Sequence, residues 1–247
     1  MKIYSWNVLH MIHEINYSEE SLVLERYKIT DNCKNEQYRL NDIFKTILNI
    51  TEQDTVVCLQ EVPGDLLARL NQIPNVKIFA YKYPREPRIK SSNIKLYEDK
   101  CEYLVTIIHE KAGTNITQCE TIQFDYAGKA CQITKINQLY ILNVHIPFVK
   151  LQRNDALNQI FSFLINKTDY VIIGDMNMSA SDLKQECLSL NQDVNIIEME
   201  GPTRKERKNG KLEYRTIDHA ITNKKTLDRT VYENEDMSDH FMIFIEI

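Results

Sequence analysis

Two uninterrupted apolar runs, each ending in a polar cluster, limit what this chain can become. Thr55-Val56-Val57-Cys58-Leu59 leads into Gln60-Glu61, and Tyr170-Val171-Ile172-Ile173 leads into Gly174-Asp175-Met176-Asn177. Short runs rich in β-branched residues read as buried strands, so the polar residues emerge where each strand leaves the core. Trp6-Asn7 closes another such run, Lys2 to Val8, and Ser238-Asp239-His240 adjoins a last one from Phe241 to the end. Acids, amides and imidazoles gathered at strand ends suit the gripping of a cation and a phosphate.

Between these runs the pattern alternates. Asn41 to Ile50 places Ile43, Phe44, Ile47 and Leu48 at helical spacing, so the chain opens strand, helix, strand. Pro63 falls early in a second expected helix carrying Leu66, Leu67 and Leu70, where its missing donor costs little. Four β-rich runs follow, Glu102 to Ile108, Thr117 to Phe124, Ala130 to Ile136 and Leu139 to His145, divided by Gly113-Thr114-Asn115 and Asn137-Gln138. Their spacing predicts successive antiparallel hairpins. Beyond them, helices are expected near 152–166 and 181–190, with strands near 170–174, 195–198 and 216–222. The fold class is α/β (α+β): a four-layer sandwich of two packed, mostly antiparallel sheets with helices on the outer faces. A crude strand-helix-strand symmetry relates the halves.

A chain of 247 residues with 43% hydrophobic content supports one large core, and no Pro/Gly/Ser-rich linker divides it. One domain spanning 1–247, a monomer, is the expectation. A net charge of -5 argues against a protein that coats nucleic acid nonspecifically, while leaving room for local phosphate contacts. No stretch reaches the length of a membrane span and the first residues do not read as a signal peptide, so an intracellular, cytoplasmic or nuclear protein is expected. The six cysteines form no C-x-x-C pair and are read as reduced.

Six blocks carry a family resemblance, in order along nearly the whole chain: Ser5-Trp6-Asn7-Val8, Leu59-Gln60-Glu61-Val62, Asn143-Val144-His145, Gly174-Asp175-Met176-Asn177, Ile217-Asp218-His219 and Ser238-Asp239-His240. The set resembles the endonuclease/exonuclease/phosphatase superfamily, with its deoxyribonuclease I-like fold, and is most similar to the tyrosyl-DNA phosphodiesterase and deadenylase-like branches. Abasic-site endonucleases resemble it less: they have an acid where this chain has Leu9, and a tyrosine in the role given to His145.

The chemistry also follows from the residues. A phosphodiester is anionic and resists attack by another anion, so a catalyst must neutralise it, supply an activated water and manage the leaving oxygen. Asn7, Glu61 and Asp239 are the expected metal ligands, hard oxygens suited to Mg²⁺, with Mn²⁺ able to substitute. His240 and Asp218 are expected to form a dyad in which the acid orients the ring. As the resemblance implies, Asp175 orients or deprotonates the attacking water, Asn177 donates to a phosphate oxygen, and His145 is a second imidazole on the phosphate or leaving group. Glu102 is a candidate partner for His145. Taken singly, each block has a plainer reading: Asp175 and Asn177 as turn formers, Glu61 as a helix-start acid, His145 as a core imidazole. His10, His13 and Glu14 give H-x-x-H-E, which is not the zinc-protease order. His219 faces away from Asp218's side if both lie on a strand.

Arg204, Lys205 and Arg207, in a basic loop with Asn209-Gly210, are the candidate substrate-binding residues, although a solvated hairpin tip explains them equally well. Lys82 to Lys90, with Tyr81, Tyr83, Arg85 and Arg88, offers stacking plus charge. The expected function is Mg²⁺-dependent phosphodiester hydrolysis on nucleic acid, DNA or RNA. Two alternatives stay open: an inositol-phosphate phosphatase or sphingomyelinase-like enzyme, and a binding module without activity. The stretch from Leu9 to Tyr38 has no assigned role beyond a contact with substrate.

Overall fold

Strand parity builds the site. Along β1 (Lys2–Asn7), Tyr4 and Trp6 face a helix-covered core while Ile3 faces the opposite sheet, which places Ser5 and Asn7 on the inner face as well. The same alternation runs along β7 (Leu139–His145), where Leu142 and Val144 pack outward and Ile141 inward. Asn143 and His145 therefore continue the inward face. In β8 (Asp169–Asp175), Val171 and Ile173 point inward and Asp175 follows them.

The computed structural model describes residues 1–29, 33–52, 54–90, 95–109, 115–233 and 236–247, without the side chains of 33 and 117–119. The remaining elements are α1 (Met11–Tyr17), α2 (Leu22–Tyr27), α3 (Cys33–Ile50), β2 (Thr55–Pro63), α4 (Gly64–Leu70), β3 (Val76–Lys82), β4 (Glu102–His109), β5 (Ile116–Gln123) and β6 (Ala130–Ile136), then α5 (Lys150–Leu164), α6 (Ala180–Ser189), β9 (Ile196–Ile197), β10 (Arg204–Lys208), β11 (Lys211–Arg215), β12 (Asp218–Thr222), β13 (Asp228–Tyr232) and β14 (Met242–Glu246). Two six-stranded sheets have the orders β13-β14-β1-β2-β4-β3 and β5-β6-β7-β8-β12-β9. Each is antiparallel except for one central parallel pair, β1 with β2 and β7 with β8. One apolar cluster lies between the sheets and holds Ile3, Val56, Val171, Ala220 and Ile245, while two others join the outer faces to helices. These are the four layers expected. Among the described residues no helix is long and apolar enough to cross a membrane.

Several boundaries differ from the sequence reading. The first long helix begins at Cys33, and α1 and α2 fill the stretch left without a role. Pro63 ends β2 and caps α4 instead of lying inside the helix. β4 does not form a hairpin with β5: it pairs with β2 and β3, so the chain crosses between sheets there, and the Gly113-Thr114 turn lies outside the described residues. The edge strand β3 carries no clear strand signal in the sequence because its exposed lysines dilute the apolar pattern. The basic "loop" is a β-hairpin, β10 to β11, closed by Asn209 and Gly210 at φ 52° and 72°, the left-handed pair that a tight hairpin turn requires. Charges on both of its faces leave no apolar alternation to mark it as a strand pair, although Lys205 is buried and Arg204 half-buried. Cys58, Cys101, Cys131 and Cys187 are buried and in no disulfide among the described residues; the side chains of Cys33 and Cys119 lie outside those residues.

Candidate active site

The C-terminal ends of both parallel strand pairs open into one cleft, as crevices beyond the carboxyl ends of parallel strands commonly do. In register, His145 stands opposite Asp175 and Asp175 opposite Asp218. Gly174 makes this spacing feasible: at φ 150°, a Cβ there would sit 2.0 Å from the Val144 carbonyl oxygen.

Glu61 reaches the cleft by a different device. Parity along β2 sends Val56, Cys58 and Gln60 inward, so Glu61 should face the helices. A bulge between Leu59 and Val62, with Glu61 at φ 56°, turns its side chain toward the cleft instead. Strain of this kind at a non-glycine residue concentrates at functional sites. Gln60 keeps the inward direction and donates to Ser5 Oγ at 3.0 Å and Asn143 Oδ1 at 2.8 Å, joining the two sheets beneath the site.

The polar side chains form a continuous array. Asn7 Nδ2 donates to Glu61 Oε1 and to Asp175 Oδ2, both at 3.2 Å. His145 Nε2 lies 3.3 Å from Asp175 Oδ2 and 3.6 Å from Glu61 Oε1, and also contacts the Lys129 ammonium. His240 Nδ1 meets Asp218 at 3.0 Å, which leaves its Nε2 facing Asp175 Oδ2 at 3.9 Å. The Asn177 backbone N–H donates to Asp175 Oδ1 at 2.9 Å, while its side-chain amide donates to the Ile146 carbonyl. Glu61, Asp175, Asn177, Asp239 and His240 all line a cleft of about 350 Å³.

Charge states follow from these contacts. Burial works against ionised Glu61, yet His13, His145, Lys129 and the Asn7 amide hold its carboxyl well below the usual carboxylate range. Asp175 shows the same balance, with burial opposed and outweighed by His240, His145 and Lys129. Burial also opposes a charged His240, but Asp218, Asp239 and Asp175 push its pKa up to about 9. His145 moves the other way, pushed down by burial and then by Lys129.

Not every expected residue takes its expected part. The Asn7 amide oxygen accepts from the Leu9 N–H at 3.0 Å, so in this arrangement Asn7 bridges two carboxylates and does not offer its oxygen to a cation. Asp239 Oδ2 accepts from Arg204 Nε at 3.0 Å, and its Oδ1 is buried with no hydrogen-bond partner among the described residues. Of the basic trio, Arg204 alone lines the cleft; Lys205 pairs with Asp236 and Arg207 with Glu25. Tyr83 is wholly buried and closed to stacking, and Arg85 is bound to Glu102. Glu102 accepts from His13, not His145. His219 packs structurally, its Nε2 3.0 Å from the Met178 carbonyl oxygen.

His13, Glu14, Lys129 and Arg215 also line the cleft and were not anticipated in this role. The H-x-x-H-E string was visible, but only the fold of α1 turns His13 and Glu14 inward, and Lys129 carries no local signal. Burial and the nearby Asp239 push the Glu14 pKa up.

No protein-family model matches the chain, and no curated protein does. Solved structures do. TDP2 of D. rerio complexed with single strand DNA product matches at TM-score 0.69 and 14% identity, covering 99% of this chain and 97% of that one. An endonuclease/exonuclease/phosphatase family protein from Leptotrichia buccalis C-1013-b matches at TM-score 0.65 and 17% identity over 100% and 99%. ANGEL2, a 2′,3′-cyclic phosphatase, matches at TM-score 0.69 and 12% identity over 99% and 93%. The chain thus shares the fold of these solved structures, an endonuclease/exonuclease/phosphatase family protein among them.

Proposed function

We propose that this chain is a divalent-cation-dependent phosphodiesterase that hydrolyses phosphodiester bonds in nucleic acid. The observation that carries the reading is the unbroken array from Glu61 through His145 and Asp175 to His240 and Asp218, in which Glu61, Asp175 and His240 line one cleft and His145 and Asp218 are buried behind them. The single-stranded DNA product held by the D. rerio TDP2 relative favours a nucleic-acid substrate over an inositol phosphate or a lipid.

The donor set fits a hard divalent cation. Glu61 is held ionised, and Asp239 has a buried oxygen without a partner among the described residues. These two would hold Mg²⁺, with Mn²⁺ able to substitute, and Asn7 would set the Glu61 carboxylate. When bound, the cation would neutralise phosphate charge and polarise the ester for attack.

The chain's own groups divide the proton work. Asp175, kept ionised between two imidazoles, would orient the attacking water and draw its proton. His240, charged near neutral pH and oriented by Asp218, would donate from Nε2 to a phosphate oxygen. His145, held toward the neutral form with Lys129 against it, would contact the phosphate or leaving group. Arg204 adds positive charge at the cleft wall. Asn177 keeps Asp175 in place through its backbone N–H, and the second hydrogen of its side-chain amide would serve a phosphate oxygen.

The test compares release from single-stranded oligonucleotides, inositol phosphates and sphingomyelin, with Mg²⁺ and with chelator. Oligonucleotide cleavage that chelation abolishes, and that Asp175→Asn and His240→Ala each reduce about 10²- to 10⁴-fold, is expected. Full activity in both variants would overturn the site assignment, and cleavage of lipid or inositol phosphate alone would overturn the substrate class.

A further inference from the structure

His13 from α1, Glu61 from the β2 bulge and Glu102 from the start of β4 converge, each offering a ligand atom within 4.8 Å of the other two. His13 Nε2 stands 3.1 Å from Glu102 Oε2. Two bonds of about 2.1 Å to one ion, meeting near a right angle, put their donors at about this separation. Glu102 is completely buried, and its Oε1 has no hydrogen-bond partner among the described residues. A buried carboxylate with an unused oxygen is expensive unless something cationic meets it.

A cation is already drawn there. Arg85 Nη2 lies 3.2 Å from His13 Nε2 and 3.3 Å from Glu102 Oε2. Its guanidinium passes over Gly128, where a Cβ would come within 2.7 Å of it. The Arg85 side chain is 37% exposed, so it can withdraw into solvent without unfolding its surroundings.

We propose that His13, Glu61 and Glu102 form a second cation position, sharing Glu61 with the one assigned to Glu61 and Asp239, and that it takes a first-row transition ion such as Mn²⁺ or Zn²⁺ in preference to Mg²⁺. An imidazole nitrogen suits the borderline ions, whereas Mg²⁺ keeps to oxygen and water. Arg85 is then a built-in competitor that holds the position until the ion arrives. The inference deepens the catalytic reading and rests on it for any role in turnover, but not for binding itself.

Binding is therefore measured directly on the full chain, by electron paramagnetic resonance of free Mn²⁺ and by calorimetry with Zn²⁺ and Mg²⁺. His13→Ala and Glu102→Gln should each weaken one Mn²⁺ or Zn²⁺ equivalent at least about tenfold while Mg²⁺ binding holds. Arg85→Met should tighten the same equivalent, a gain that a damaged fold cannot produce. Unchanged Mn²⁺ and Zn²⁺ binding in His13→Ala, or no tightening in Arg85→Met, would overturn the site. Normal ion binding without oligonucleotide cleavage would refute the catalytic reading while sustaining this one.

Discussion

Replacing Arg39 by methionine should destabilise the fold and loosen the cleft together. Arg39 is wholly buried in α3, and each of its donors has a partner. Nε and Nη2 each reach Glu36 at 2.7 Å, Nη1 reaches the Val8 and Met237 carbonyls at 2.8 and 2.6 Å, and Nη2 reaches Leu9 at 2.8 Å. Those carbonyls belong to the segments just after Asn7 and just before Ser238, Asp239 and His240, so one guanidinium ties both strand ends to the same helix. Ser238 reinforces the tie by donating to the Asn7 carbonyl at 2.7 Å. Methionine fills similar volume but abandons the buried Glu36 carboxylate and three carbonyls, and breaking a buried pair from one side costs about 3–5 kcal/mol. For 247 residues, an unfolding entropy of about 2.1 cal/mol/K per residue gives roughly 0.5 kcal/mol/K, so Tm should fall by about 6–10 °C. Arg39→Lys should recover little, because one ammonium cannot span the same fork. Calorimetry gives Tm, and oligonucleotide cleavage well below Tm gives the site effect. A fall under about 2 °C, or full activity with normal KM, would refute the idea that Arg39 braces the cleft.

Gly174→Ala should cost stability through the contact with the Val144 carbonyl oxygen and disturb Asp175 beside it; urea midpoints and cleavage rates should both fall, and a neutral result would contradict the close approach. His10 gives a pH signature: burial lowers its pKa to about 4, below the unfolded value of about 6.5, so its contribution is complete above pH 6.5 and is lost as pH falls toward 4. That loss is at most about 3 kcal/mol, and His10→Gln, which can still donate to the Lys100 carbonyl, should flatten the acid limb of a urea-midpoint profile; an unchanged limb would refute it. Arg204→Ala should raise KM for oligonucleotides about tenfold or more, whereas Arg207→Ala, which breaks only an exposed pair with Glu25, should leave KM nearly unchanged. Equal effects in steady-state kinetics would mean that the substrate runs along the hairpin.

The sequence by itself determined the layers and much of the cleft's cast. Alternation along Lys2–Asn7, Leu139–His145 and Asp169–Asp175 decides which side chains face the opposite sheet, so Asn7, His145 and Asp175 inherit their direction from Ile3, Ile141 and Val171, the inward apolar residues four places earlier. Parity likewise turned His219 away from Asp218. The tertiary structure decided what depends on contacts between distant segments. A bulge reverses Glu61, and local pattern carries no trace of that φ. The folding of α1 onto the cleft brings His13 to Glu102, 89 residues away, and Lys129 arrives from a turn with no motif. The Asn7 amide faces two acids because a backbone N–H two residues on claims its oxygen. Periodicity is a one-dimensional property that a string of residues can carry; partner choice is a three-dimensional one, fixed only when packing brings charges together and removes water from between them.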